Sequence, residues 1–404
     1  MLGSWRPAAI AIVVLITACG SPTGGSQTRS NTSAARVSSP PPSGQAAGPP
    51  LASGLIVLMS TVTDTTTLLR IVDAKGHVYA STQFTPPARP AYGPCASLTQ
   101  PPVRIAQGGA FFADSAGVVR KLAPNGAISQ VATFPLTKPN QALSYAVSPD
   151  GSQLIAIVFS TPPLHNPPPR QLGDPLFDAG SWSVDLETAK PGGATAVALH
   201  RDLGSGPGPN PTPTEITGWD NLGPAATLNS AICTQQGLPS NLYNGTLIHL
   251  AMDGTHLDRI GGPSCNAWDE LSDGTVLCGG GDWQSFDVRR RDGTLLWSGV
   301  ASDTLTDVAL SPDGAAVASS YPAQTYFADG SSSVASGARA QVPQMQIVGW
   351  AGPSTVVILR DDGHVGLAPA RDLNIFTDTS IIIAKSCATC GFFDVKAIGT
   401  LPFA

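Results

Sequence analysis

Tyr145-Ala-Val-Ser-Pro-Asp-Gly151 runs into the apolar stretch Gln153-Leu-Ile-Ala-Ile-Val158, and Asp307-Val-Ala-Leu-Ser-Pro-Asp-Gly314 runs into Ala315-Ala-Val-Ala318. In both copies proline presets φ at the turn, and glycine supplies the positive φ that closes it. The flanking strands are apolar enough to be buried on both faces. A weaker copy, Trp268-Asp-Glu-Leu-Ser-Asp-Gly274, leads into Thr275-Val-Leu277. Gly274 and Gly314 are 40 residues apart, the length of one blade in a radial β-repeat.

A second series of turns keeps the same period. It comprises Leu68 to Gly76, Val118 to Gly126, Leu247 to Gly254 and Phe286 to Gly293, with 39 residues between Gly254 and Gly293. Chance turns would not stay in phase with the first series. Glu215-Ile-Thr-Gly-Trp219 and Gln346-Ile-Val-Gly-Trp350 mark the opening strands of two further units. Glycine and proline, 43 and 37 of 404 residues, fit many short strands joined by tight turns.

Ser-Pro-Asp-Gly followed by an apolar strand, then a strand ending in Asp-Gly, resembles the WD40-like repeats of TolB-type β-propellers. The resemblance runs from about Leu55 to the end of the chain and implies a fold, hardly a function. It also implies that Asp150 and Asp313 form turns and do no chemistry. The expected fold is therefore all-β, a propeller of about seven four-stranded blades over 54–404, with six or eight as alternatives. Units are placed near 55–85, 103–135, 142–200, 215–262, 265–300, 305–338 and 346–400. The first begins on what reads as a second strand, so its inner strand is expected from the segment around Phe392 to Ile398. The Pro- and Gly-rich segments Pro162 to Pro175 and Gly204 to Pro213 read as surface insertions.

Before the repeats, Arg6 precedes an apolar run from Ala8 to Ile16, as long as a signal-peptide core and too short to span a bilayer. Leu15-Ile-Thr-Ala-Cys19 resembles a bacterial lipobox, which implies a signal peptide over 1–18 and a lipid on Cys19 as the mature first residue. The Ser-, Thr-, Pro- and Gly-rich stretch through residue 53 has too little apolar surface to offset chain entropy and reads as a disordered tether. The expected location is the extracytoplasmic face of a cell membrane, with the chain anchored there by lipid.

Six further cysteines in an oxidising compartment favour disulfides. Cys265 and Cys278 flank the turn at Asp273-Gly274 and are paired first. Cys387 and Cys390 read as a local loop disulfide, because no helix follows to activate a redox thiolate. Cys95 and Cys233 remain as the third pair. His77, His256 and His364 recur beside turn glycines on different units and do not point to a shared metal site.

No catalytic, cofactor or metal constellation stands out. Asp292-Gly-Thr-Leu-Leu-Trp297 resembles a fragment of the tryptophan-docking repeats of quinoprotein dehydrogenases, but occurs once. Asp269, Glu270, Asp282 and Asp361 supply carboxylates, with nothing in the sequence to pair them. The net charge of −6, with no basic cluster beyond Arg289-Arg290-Arg291, excludes a nucleic-acid surface. That triplet reads as a solvated strand face. The expected role is a monomeric, non-enzymatic binding scaffold for an envelope protein. The alternative is an enzyme or small-ligand sensor with its site at the central channel. Several buried carboxylates, His or Arg within hydrogen-bond reach at the channel mouth favour the alternative, and an apolar loop-built patch favours a protein partner.

Overall fold

The computed structural model describes residues 54–63, 65–87, 102–138, 140–163, 178–204, 213–228, 246–320, 322–335, 345–383 and 395–402. They fall in one compact unit, Gly48–Ala404. Cys19, the tether, Cys95, Cys233, Cys387, Cys390 and most of both Pro-rich insertions lie outside the described residues. Every regular element among the described residues is a strand.

Seven four-stranded sheets repeat one antiparallel pattern. Blade 1 contains β1 (Leu55–Thr63), β2 (Thr66–Val72) and β3 (Val78–Phe84). Blade 2 contains β4 (Val103–Ala106), β5 (Gly109–Ala113), β6 (Val118–Leu122) and β7 (Ile128–Thr133). Blade 3 contains β8 (Gln141–Val147), β9 (Leu154–Ser160), β10 (Trp182–Ala189) and β11 (Ala196–Gly204). Blade 4 contains β12 (Pro213–Trp219), β13 (Pro224–Leu228), β14 (Thr246–Leu250) and β15 (His256–Arg259). Blade 5 contains β16 (Ala267–Glu270), β17 (Val276–Gly279), β18 (Ser285–Arg289) and β19 (Leu295–Val300). Blade 6 contains β20 (Ala309–Leu310), β21 (Ala316–Ser319), β22 (Gln324–Phe327) and β23 (Ser332–Val334). Blade 7 contains β24 (Met345–Gly352), β25 (Thr355–Arg360), β26 (His364–Pro369) and β27 (Thr377–Ile382).

The last strand, β28 (Val395–Leu401), joins blade 1. It pairs antiparallel with β1, from Leu55↔Leu401 to Ser60↔Val395. In the ring β28 lies between β24 and β4, β4 lies beside β8, and β8 beside β12. The chain end thus completes the first blade, within a few residues of the expected segment. The ring repeats one four-stranded unit seven times, so the architecture is a seven-bladed β-propeller.

The core has seven layers, one between each pair of neighbouring blades. Phe159, Trp182, Ile216 and Ile248 join blades 3 and 4, and Ile56, Val72, Val357 and Leu367 join blades 1 and 7. The layer between blades 4 and 5 is the smallest, with seven residues: Ala225, Leu247, Ile260, Cys265, Ala267, Val276 and Cys278. A disulfide joins Cys265 to Cys278 in this layer.

The Ser-Pro-Asp-Gly turns are built alike. Ser148 Oγ donates to Asp150 Oδ1 at 2.6 Å and accepts the Gln153 amide at 3.0 Å. Ser311 Oγ donates to Asp313 at 2.7 Å and accepts the Ala316 amide at 2.8 Å. The aspartates therefore hold turns. Ser148 holds the exposed Asp150 carboxyl low, at about 2, with help from Ser152. Side chains near the axis stitch one blade to the next blade's backbone. Arg104 donates to Tyr145 O, Ser144 Oγ accepts Ile216 N, Asp269 accepts Leu310 N, and Trp350 Nε1 donates to Ala309 O.

Candidate functional site

Four of the inner strands carry a β-bulge, an extra residue that leaves the ladder and bends the strand. On β12, Ile216 and Gly218 pair with consecutive residues of β13, leaving Thr217 over. The same displacement leaves Trp268 over on β16, Val348 on β24 and Ile398 on β28. All four bulged residues line one cavity of about 570 Å³ at the centre of the ring. Arg104, Asp269, Glu270, Asp307, Ser320, Gln346 and Lys396 also face it. Charged and polar groups thus meet here from blades that are far apart in sequence.

Several buried polar atoms have no hydrogen-bond partner, and four of them belong to residues of this cavity: Thr217 Oγ1, Trp268 Nε1, Glu270 Oε1 and Ser320 Oγ. A buried unpaired polar atom costs about 1–3 kcal/mol, so their gathering on one cavity is a cost concentrated in one place. Trp268 is fixed by its surroundings: it stacks on Trp283 at 5.9 Å, and its indole occupies the space a Cβ on Gly279 would need.

Two of the three channel carboxylates, Asp269 and Glu270, are shifted to different extents. Burial pushes Asp269 up to about 6, against the Leu310 and Glu270 amides and the nearby Lys396, which favour its charged form. Glu270 is raised well above the usual carboxylate range, by burial first, then by Asp220, Asp269 and Asp273; Arg291 opposes this. Asp269 is occupied in joining blade 5 to blade 6, whereas Oε1 of Glu270 is not engaged.

Behind Glu270 lies a buried polar network that the sequence reading did not find. Asp220, in the turn after β12, accepts the Leu222 and Gly223 amides on Oδ1. Its Oδ2 lies 2.5 Å from His249 Nε2, and His249 Nδ1 lies 3.0 Å from Asp258 Oδ1. Arg291 from blade 5 grips Asp258 with Nε and Nη2. Asp220 and His249 are 1% and 0% exposed. Burial alone would raise Asp220, but hydrogen bonds from His249, Leu222 and Gly223 hold it below its ordinary value. Donor atoms of Asp220, His249 and Glu270 all lie within 4.8 Å of one another. The signal was a lone histidine inside Leu247-Ile-His-Leu250, a strand otherwise buried and apolar.

Other sequence candidates go elsewhere. Asp282 is exposed and caps its own turn through the Gln284 and Ser285 amides, with its carboxyl held at about 2 chiefly by Ser285. Asp361 is likewise exposed and does not face the cavity. His77, His256 and His364 sit at three separate turns, and His364 pairs with Asp378 at 2.9 Å. The arginine triplet is more than a solvated face: Arg289 pairs with Asp287 and Arg291 with Asp258, while Arg290 is exposed. Trp297 of the docking-like fragment donates to Gly314 O of blade 6, so it docks one blade on the next.

No protein-family model matches the chain, and no curated protein matches it in sequence. Among solved structures it is similar to the computationally designed Ika8 protein, at TM-score 0.43 and 12% identity, over 86% of this chain and 97% of that one. It is similar to the Dos1 propeller, at TM-score 0.43 and 12% identity, over 87% and 93%. BamB from Moraxella catarrhalis gives TM-score 0.30 and 13% identity, over 82% and 74%. Likeness at this level says nothing about activity, and the seven-sheet order of the chain itself carries the propeller architecture.

Proposed function

We propose that this protein is an exported propeller, held at a membrane by a lipid on Cys19, that binds a small hydroxyl- or amine-rich molecule in its central channel. The observation that carries the reading is that Thr217, Trp268, Glu270 and Ser320, each with a buried side-chain polar atom that has no partner, line one cavity. A volume of about 570 Å³ lies within the range of small-ligand sites. The lining side chains Arg104, Thr217, Glu270, Ser320 and Gln346 bring donors and acceptors together, which suits a ligand carrying several hydroxyl or amino groups. No catalytic step is assigned, because nothing here pairs a nucleophile with a base.

Native mass spectrometry of protein purified from its own membrane, with a thermal-shift screen of sugars and amines, tests this reading. A bound species or a saturable shift is expected, and Thr217→Val and Ser320→Ala should each weaken it. Blank results in both, with ordered waters satisfying all four atoms in a crystal, would remove the ligand reading. Anchoring has its own test: Cys19→Ala should abolish lipid labelling and release the protein from membranes, and retention of both would overturn the lipobox.

A protein partner has separate support. The edge strand β19 exposes Leu295, Leu296 and Val300, the last 73% exposed. An unpaired edge with apolar side chains is suited to docking. Envelope crosslinking should then capture one chain through β19, and an unchanged pattern after Leu296→Lys would dismiss that surface.

A further inference from the structure

Among the described residues the boundary between blades 4 and 5 has the smallest apolar layer of the seven, and it is supplemented by a disulfide and a polar network whose Asp220–His249 end is buried. Within that network His249 faces a carboxylate at each ring nitrogen, Asp220 at Nε2 and Asp258 at Nδ1. A neutral imidazole has one proton to donate. Both contacts are satisfied at once if the ring carries two protons, if a protonated carboxyl donates to the bare nitrogen, or if a cation stands in place of the proton at Nε2. The last arrangement is that of metal-bound histidine, whose other nitrogen donates to a carboxylate that fixes tautomer and ring direction. Asp258, itself held by Arg291, stands in that position.

A third donor is at hand. Glu270 Oε1 is buried without a partner, and Glu270 belongs to the group of donors within 4.8 Å of one another. Oxygen and nitrogen ligands sit about 2.0–2.2 Å from a first-row metal, and so about 3–3.5 Å apart. The present separations, all within 4.8 Å, would have to close on a bound ion by opening of the Asp220–His249 contact and a turn of the Glu270 carboxyl. The donors come from both sides of the boundary, Asp220 and His249 from blade 4 and Glu270 from blade 5.

We propose that Asp220, His249 and Glu270 form a binding site for a divalent first-row metal ion, which staples blade 4 to blade 5, with Asp258 as the positioning residue for His249. One imidazole and two carboxylates suit Mn²⁺ or Zn²⁺ better than a thiolate-seeking ion. The site shares Glu270 with the channel but does not rest on the ligand reading, since metal binding is measured with no small molecule added.

The test uses the full-length protein, stripped with chelator and titrated with Mn²⁺, which does not compete for the chain's cysteines. Loss of the free-ion EPR signal should report one saturable site per chain, with a rise in Tm. Glu270→Gln should weaken Mn²⁺ binding at least about tenfold, and Asp258→Asn about 10–100-fold. His364→Ala, at a separate His–Asp pair, should leave binding unchanged. Because His249→Ala threatens the fold, Glu270→Gln is the deciding variant: it removes a carboxylate without removing bulk, and its metal-free Tm should equal or exceed the wild type. No saturable binding up to about 1 mM Mn²⁺ or Zn²⁺, or equal affinity in Glu270→Gln, overturns the proposal and leaves a hydrogen-bonded latch.

Discussion

Trp268 shows how much one residue can depend on what another lacks. Its indole lies where any side chain on Gly279 would stand, one strand away on β17. Gly279→Ala should therefore overpack the blade and cost about 1–3 kcal/mol, read from urea unfolding; a neutral result would mean that the tryptophan is free to move. Glu187 carries the pH prediction. It is 8% exposed, and burial, then Asp185, raises its pKa above 4.5. The folded chain therefore holds this proton more tightly than the unfolded chain, and stability is lost as pH rises from 4.5 through the folded value. Glu187→Gln should raise Tm at about pH 7, and the gain should vanish near pH 4. Neither environment is legible from the residues alone, since Gly279 and Glu187 read as ordinary strand positions.

At the scale of elements, the Ser-Pro-Asp-Gly turn was readable because its interactions are local. Serine, aspartate and the amide of the following strand lie within five residues, so the motif carries its own hydrogen bonds. Ser311→Ala should cost about 1–2 kcal/mol by leaving the buried Ala316 amide short of an acceptor, measured by thermal unfolding. Loss below a few tenths of a kcal/mol would show that backbone bonds alone hold the turn. The bulges were half legible. Ile-Thr-Gly-Trp219 and Ile-Val-Gly-Trp350 announce two opening strands, and a glycine inside a strand hints at irregularity. That the residue before each glycine faces the channel follows only from the pairing with the next strand.

For the whole molecule, closure decides stability. β28 brings the chain end to the free edge of β1, and Gly349 on β24 leaves the space in which Ala397 of β28 packs. Ending the chain after Asp394 leaves β1 with an open edge and removes Leu401 from the layer between blades 1 and 2. That variant should aggregate and lose its cooperative transition, as read by size-exclusion chromatography and circular dichroism. A monomer with wild-type Tm would show that the ring stands without its fastener.

The repeats, their period and the need for a borrowed strand were in the sequence, because turn chemistry and alternation of apolar runs act over a few residues; the choice of seven blades over six or eight came from the sheets. The proposed lipid address is likewise read from a few neighbouring residues, Leu15 to Cys19. The channel cavity, the unpaired atoms on it and the Asp220–His249–Glu270 cluster were decided only by the tertiary structure. Their members are drawn from separate strands and turns of blades 4, 5 and 6, and a ring sets such residues side by side without leaving any trace in their spacing along the chain.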